Sequence, residues 1–219
     1  MYTYAFLANS QPLELPEGIW GSLELVQTES LAALVEPDLP AESLQQADRQ
    51  LMQAVLSHDR IIQEVFQQAT VLPLRFGTYF ISRQGLVDHL KSHQQDYLTK
   101  LAQLSGKAEY TLKLTPTPFP ENPIAADSKG KEYFLAKKRL YQQQADWQQQ
   151  QQSDLEALIA QASADYPIRQ GEAETHPKLY LLSDQQREIE LQQQLSRWQQ
   201  QCSTWELVLS EALPPYHFV

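Results

Sequence analysis

The chain has 219 residues, with 27 acidic and 17 basic side chains and a formal net charge of −10. At roughly 150 residues per domain, this length predicts one or two domains. An apolar content of 42% excludes an intrinsically disordered chain. The acidic balance disfavours nucleic-acid binding, which requires clustered Lys and Arg. The only basic run, Lys137 to Arg139, is interpreted as a solvated helix face rather than a phosphate site.

In the first half of the chain, residue patterns alternate between strands and helices. Strands are predicted at residues 2–7, 22–27, 31–35 and 71–75, with an amphipathic helix after Pro40 and another helix at 84–104 that Gly106 stops. The first of these helices is expected to bury Leu51, Val55 and Ile62 on one face. Residues 1–106 are therefore predicted to form an N-terminal α+β domain.

Residues 107–219 predict a second domain with the element order β-α-β-β-α-β. The elements are expected at residues 108–115, 129–163, 166–171, 178–182, 184–201 and 204–210. This is the ferredoxin-like order, modified by a long first helix. Ser183 and Gln186 have the spacing of a capping box at the start of the last helix. The overall fold class is thus α+β with two domains.

The long helix is rich in glutamine, with 8 Gln among the 11 residues from Gln142 to Gln152. Glutamine favours helices, so we predict a solvated helix here rather than an aggregating tract. A 35-residue helix is about 50 Å long, which exceeds the width of a small domain. The helix must therefore either project from the domain or break within the Gln tract.

The sequence contains none of the common catalytic or phosphate-binding motifs, and we predict no enzyme activity, metal or cofactor. His89 and His93 are four residues apart on a predicted helix, which could present two imidazoles to a metal. We favour a buried, hydrogen-bonded His93 with a surface neighbour. The single cysteine, Cys202, falls on the apolar face of the last helix and is interpreted as a small core residue.

The sequence also predicts where the protein resides. One cysteine cannot form an internal disulfide, which fits a reducing cytosol. The N-terminus lacks the positive region of a secretory signal, and no run approaches the roughly 20 apolar residues of a membrane helix. A cytoplasmic protein is therefore expected.

The segment Val71–Phe80 is the first candidate for protein binding. Pro73 within an apolar run favours an edge strand or a bulge. Arg75 stands between apolar neighbours and needs a partner, either within its own fold or on another protein. Gly77 is expected to form a turn beside Phe76.

The C-terminus is the second candidate. Pro214 and Pro215 end the last predicted strand, and Tyr216 and Phe218 follow as amphipathic anchors. Such a tail either folds back on its domain or docks on another molecule.

At these residues the chain resembles the F/L accessory proteins of gas vesicles. The resemblance runs through YTYAFL at 2–7, LAALVE at 31–36, HDRIIQEVF at 58–66, VLPLRFGTYF at 71–80, GKAEYTLKL at 106–114, KGKEYFLAKKR at 129–139 and PPYHFV at 214–219. The VLPLRFGT segment together with a terminal PPYxF is specific. Where the family often has Gly-Pro-Trp before this terminal motif, the chain has Glu211, Ala212 and Leu213, and Tyr110 replaces a usual tryptophan.

The resemblance implies a non-catalytic, two-domain α+β protein required to form gas vesicles, the hollow protein shells that give aquatic microbes buoyancy. It implies an association with the small hydrophobic shell protein, and with other accessory proteins, and a place on the vesicle, with the gas-facing side as a candidate. The main hypothesis is binding of the shell subunit during assembly, through Pro73, Arg75, Phe76 and Gly77 and through Pro214, Pro215, Tyr216 and Phe218.

Two other functions stay open at this point. One is a structural minor component of the mature shell. The other is a ferredoxin-like protein that binds a metal or small molecule through His89 and His93 or through a pocket between the domains.

Overall fold

The computed structural model describes residues 1–10, 12–40, 48–120, 130–171 and 176–219. The chain divides into two compact units. The first unit comprises Met1–Glu109 together with Ala212–Val219, and the second comprises Tyr110–Glu211. The predicted α+β class is confirmed. The predicted division at residue 106 differs from these units at residues 107–109 and in the last eight residues, all of which cluster with the first unit.

The first unit contains a four-stranded sheet and three helices. Its elements are β1 (Tyr2–Ala8), β2 (Glu24–Gln27), β3 (Leu31–Glu36), α1 (Asp48–Phe66), β4 (Val71–Pro73), α2 (Arg83–Ser92) and α3 (Gln94–Leu104). The strand order is β2-β3-β1-β4, and all three pairings are antiparallel. Side chains are buried along nearly all of β1 and β3 because these are the central strands. Pro73 lies on an edge strand, which agrees with the prediction, because a residue without an N–H cannot donate to a neighbouring strand.

The buried face of α1 differs from the predicted one. Ala54, His58, Ile61, Ile62 and Val65 face the core, whereas Leu51 and Val55 are each 38% exposed. The predicted stripe was therefore wrong at Leu51 and Val55, although right at Ile62. The beginning of the predicted helix, including Leu44 and Ala47, lies outside the described residues.

The single helix predicted at 84–104 is two helices, α2 and α3, with His93 between them at φ −109° and ψ 14°. Ser92 Oγ donates to the carbonyl oxygen of His89 at 3.0 Å, and His93 Nδ1 lies 3.0 Å from the same oxygen. Such local side-chain bonds compete with helix continuation. The interpretation of His93 as a core residue was wrong: His93 is exposed, and His89 is the half-buried member of the pair.

The second unit has the predicted ferredoxin-like order. Its elements are β5 (Lys107–Pro116), which begins in the first unit, α4 (Lys131–Asp165), β6 (Ile168–Gln170), β7 (Lys178–Asp184), α5 (Glu188–Gln201) and β8 (Trp205–Leu209). The strand order is β6-β7-β5-β8. The helix α4 runs unbroken through the Gln tract over 35 residues. It buries Leu158 and Ala162, close to its C-terminal end.

The beginning of α5 was predicted incorrectly. Ser183 belongs to β7, and a short 3-10 turn at Gln185–Arg187 precedes the helix. No side chain caps α5, because its N-cap residue is Arg187. Cys202 at the other end is 3% exposed, and burial raises the pKa of its thiol to about 11. The interpretation of Cys202 as a core residue is consistent with this environment.

A fully buried carboxylate organises the first unit. Glu36, at the end of β3, is 0% exposed and accepts a 2.5 Å hydrogen bond from the Tyr4 hydroxyl of β1. It also accepts bonds from the backbone N–H groups of Ile19, Trp20 and Gly21 at 2.9, 2.6 and 2.5 Å. Because four donors surround the charge, it is stabilised without an ion pair to any of the described residues.

The loop that Glu36 holds requires glycine at position 18. A Cβ atom there would lie 2.4 Å from the carbonyl oxygen of Gly21 and 2.7 Å from the Glu36 carboxylate. The loop carries Trp20, whose side chain is 66% exposed. The buried carboxylate therefore fixes the backbone that presents an exposed aromatic residue.

We expect Glu36→Ala to lower the free energy of unfolding by about 3 kcal/mol or more, because four buried or partly buried donors lose their acceptor. Tyr4→Phe removes only one donor and should cost about 1 kcal/mol. Urea unfolding followed by circular dichroism measures both. A Glu36→Ala protein as stable as Tyr4→Phe would contradict this account.

Candidate functional site

The turn that follows β4 presents Arg75. The carbonyl oxygen of Arg75 accepts bonds from the backbone N–H of Thr78 at 3.2 Å and from its hydroxyl at 2.6 Å. Gly77 has φ +84°, a conformation that residues with a side chain rarely adopt. The predicted role of Gly77 as the turn residue agrees with this geometry.

Tyr2 and His58 hold this turn from the core. The backbone N–H of Gly77 donates to the Tyr2 hydroxyl at 3.3 Å, and this hydroxyl lies 2.8 Å from His58 Nδ1. His58 Nε2 lies 3.1 Å from the carbonyl oxygen of Leu74. Because a carbonyl oxygen can only accept, we assign the imidazole proton to Nε2, so that Nδ1 accepts from Tyr2. Burial lowers the pKa of His58 and raises the pKa of Tyr2.

Aromatic packing reinforces the same turn. The rings of Tyr4 and His58 stack with centroids 5.1 Å apart, and Tyr2 meets Tyr4 edge-on at 4.9 Å. Phe76 lies edge-on to His58 at 5.6 Å, so this predicted contact residue is half-buried in the cluster. Ring packing therefore adds to the hydrogen bonds that hold this turn against the core.

Arg75 is exposed, in contrast to the buried residues of this cluster. Within the part of the chain that the structure describes, its guanidinium makes no hydrogen bond or ion pair. The alternative in which Arg75 tethers its own fold therefore has no support from the described residues. Its five N–H donors are available to another molecule.

The C-terminal tail folds back on the first unit. Leu213 pairs with Glu109 through two backbone bonds of 2.9 Å, and Pro214 and Pro215 are buried. The Tyr216 hydroxyl donates to Asp59 of α1, and His217 bonds to the Glu109 carboxylate at 2.7 Å. Burial, together with the bond to Asp59, raises the pKa of Tyr216.

These contacts bear on the second group of predicted contact residues. Pro214, Pro215 and Tyr216 are engaged in packing of the first unit, and Phe218 is half-buried. A contact of these residues with another protein stays a prediction. In the structure, their contacts anchor the C-terminal tail on the first unit.

An exposed aliphatic face on α1 was missed by the sequence analysis. Met52 and Leu56 are 61% and 57% exposed, beside the partly exposed Leu51 and Val55. All four lie within one and a half turns of the helix. The signal was present in the sequence, because α1 carries more apolar residues than one buried face can hold.

Two edge strands, β8 and β4, carry features that oppose the addition of another strand. The Gln199 side chain of α5 accepts from Leu207 N–H at 2.9 Å and donates to the carbonyl oxygen of Trp205 at 2.8 Å. Its amide thus occupies part of the outer edge of β8 in place of a neighbouring strand. On β4, Pro73 removes one donor from the outer edge. Both devices oppose edge-to-edge association.

The histidine pair of the sequence analysis lies beside the break between α2 and α3. The two rings are 4.3 Å apart, and His89 Nε2 is bonded to the Tyr97 hydroxyl at 2.8 Å. Among the described residues, no group of three or more His, Cys, Asp or Glu side chains could hold a metal ion. The pair is thus a part of a ring cluster that also includes Phe6 and Phe80.

The fold and these surfaces define a two-unit α+β protein with an exposed aliphatic face on α1 and an exposed arginine on a supported turn. The family model described as gas vesicle synthesis protein GvpL/GvpF matches residues 1–219. The chain belongs to this family, and its role therefore lies with the gas vesicle. The resemblance stated from the sequence is confirmed.

A curated relative agrees with this assignment. The chain is 31% identical over 118 residues to gas vesicle protein F of Streptomyces sp. (strain CB03234). That match spans 51% of this chain and 47% of the relative, about half of each length.

Solved structures show the same fold. The crystal structure of gas vesicle protein GvpF from Microcystis aeruginosa superimposes with a TM-score of 0.71 at 16% identity, covering 99% of this chain and 97% of that chain. GvpF from Anabaena sp. PCC7120 gives a TM-score of 0.72 at 14% identity, with 99% and 96% coverage. Within the described ranges, no helix has the length and apolar character needed to cross a membrane.

The buried His58 predicts a pH dependence of stability. Its pKa is lowered from the ordinary value of 6.5, so below that pH the unfolded chain binds a proton that the folded chain resists. Stability should therefore fall as the pH falls from about 7.5 to about 5.5, and His58→Phe should reduce this fall. Urea unfolding at the two pH values measures the difference. An unchanged pH dependence in His58→Phe would refute the role assigned to this imidazole.

Proposed function

We propose that this protein is a non-catalytic accessory protein that binds the small hydrophobic shell protein during gas vesicle assembly. A shell subunit destined for a water-repelling wall exposes apolar surface before it is incorporated, and such surface aggregates unless it is covered. A protein that covers it reversibly needs an apolar surface of its own on a folded scaffold. Family membership supports the vesicle role, and the surfaces described above support binding.

The exposed aliphatic face of α1, formed by Leu51, Met52, Val55 and Leu56, is the observation that carries this proposal. Four adjacent aliphatic side chains offer non-directional attraction to an apolar partner. Methionine adapts its shape to different partner surfaces. Further along α1, Ile61, Ile62 and Val65 are buried, so the helix presents this face from a packed core.

Arg75 supplies a directional contact for the same partner. Its turn is held by Tyr2 and His58, so its guanidinium is presented from a preorganised backbone. It can donate to a carboxylate or to backbone carbonyl groups of the shell protein. Pro73, Phe76 and Gly77 then act by shaping the turn, and Pro214, Pro215, Tyr216 and Phe218 by holding the tail on this unit.

In this proposal the protein acts in the cytoplasm during assembly and then remains associated with the vesicle. We place the protein on the gas-facing side of the vesicle, because its apolar contact surface matches the water-repelling inner wall of the shell. Other accessory proteins of the vesicle are further candidate partners.

The first experiment places a charge on the α1 face. Leu56→Asp should weaken capture of the shell protein in a pull-down by about tenfold or more, because the new carboxylate must lose water at an apolar contact. Gln53→Asp is the matched control, since Gln53 is exposed on the same helix and is not apolar. Equal capture by both variants would overturn the assignment of this face.

The second experiment tests Arg75. We expect Arg75→Ala to reduce shell-protein capture about tenfold through loss of a charge-assisted contact, and to lower the yield of vesicles in cells. Arg49→Ala removes an exposed arginine of α1 and should preserve both. Unchanged capture and normal vesicles with Arg75→Ala would remove Arg75 from the contact.

A further inference from the structure

The N-terminal part of α4 carries an unusual concentration of exposed apolar side chains. Tyr133, Phe134, Leu135 and Tyr141 are 45%, 70%, 44% and 59% exposed. Further along the helix, the second unit packs on the face of α4 that carries Trp147, which bonds to Thr117, and buried Leu158 and Ala162. Phe134 and Tyr141 lie on another face, so they are not used in packing α4 on the described residues of its own unit.

Charge is distributed along α4 against the preference of a single helix. Residues 131–139 carry four cations and one anion, whereas residues 140–165 carry four anions and no cation. The helix macrodipole favours anions at the N-terminal end and cations at the C-terminal end. The observed polarity thus does not serve the isolated helix. It becomes favourable when a second helix of the same sequence lies alongside in the opposite direction.

One exposed seam runs along α4 at spacings of three and four residues. Its members are Phe134, Lys138, Tyr141, Ala145, Gln148, Gln152, Glu156, Ile159 and Ser163. All of them are exposed except Ile159, which is half-buried. Gln152 Nε2 donates to Glu156 Oε1 at 2.7 Å, so these two seam residues are already ordered. Spacings of this kind allow two helices to pack along their length.

The seam is complementary to itself in one antiparallel register. In that register, apolar Phe134 faces Ile159, and the Lys138 cation faces the Glu156 anion. The two remaining pairs place a glutamine against an aromatic or a small side chain: Tyr141 with Gln152, and Ala145 with Gln148. Two-fold symmetry repeats each pair. A parallel arrangement would instead place Lys138 against Lys138 and Glu156 against Glu156. Pairing of the two aromatic regions alone would bring the lysines together.

We propose that the α4 seam is a homodimer interface in which two copies of this chain pair their α4 helices in antiparallel orientation. The seam from Phe134 to Ile159 spans about 38 Å of helix. The aromatic residues of each copy cover the polar end of its partner, and glutamine amides bond across the interface. This interface lies in the second unit and does not depend on the proposed binding of the shell protein.

A charge exchange tests both the interface and its register. Lys138→Glu places like charges opposite each other at both ends and should weaken dimerisation by about tenfold, as should Glu156→Lys. The double variant Lys138→Glu with Glu156→Lys restores opposite charges and should recover dimerisation. Sedimentation velocity of the full chain over a range of concentrations measures the dimerisation constant, and circular dichroism verifies that the helices persist.

Arg139→Glu is the matched control, because it makes the same change of charge next to Lys138 on a residue outside the seam. It should leave dimerisation near the wild-type value. A wild-type chain that remains monomeric at every concentration would overturn the proposal. So would a dimer that Lys138→Glu weakens no more than Arg139→Glu, or that the double variant fails to restore.

Discussion

The buried carboxylate of Glu36 is the interaction on which the first unit depends. A charge with no exposure to water requires donors on every side, and the fold supplies them from β1 and from the loop before β2. The Tyr4 hydroxyl that binds Glu36 belongs to a ring that stacks on His58, and His58 in turn holds the Arg75 turn. One buried charge thus connects two loops that present exposed side chains, Trp20 and Arg75.

Two kinds of exposed surface distinguish the two units. The aliphatic face of α1 can attract any apolar partner, whereas the α4 seam combines aromatic rings with charges and so selects a partner of complementary pattern. Such surfaces risk unwanted association. The side-chain amide of Gln199 on β8 and the proline on β4 limit one route, strand pairing, while leaving the helix faces open.

For the candidate site, the sequence predicted where the Arg75 turn lies, but it did not predict which residues support that turn. Pro73 within an apolar run predicted an edge strand, and Gly77 predicted a turn, because both residues restrict the backbone locally. The support of that turn could not be predicted, since Tyr2 is 75 residues from Gly77 in the chain and His58 belongs to a different element, the helix α1. Likewise, no local signal indicated that Glu36 would be buried, or that four donors would surround it.

The amino-acid sequence by itself determined the order of strands and helices, including the β-α-β-β-α-β order of the second unit and the helical character of the Gln tract. These features follow from local periodicity and propensity. Only the tertiary structure decided which apolar residues of α1 face the core, and it decided that the helix at 84–104 breaks at His93. It also decided that the tail belongs with the first unit, because Tyr216 reaches Asp59 and Leu213 pairs with Glu109 across more than a hundred residues. Contacts between residues so distant in the chain leave no periodic trace in the sequence.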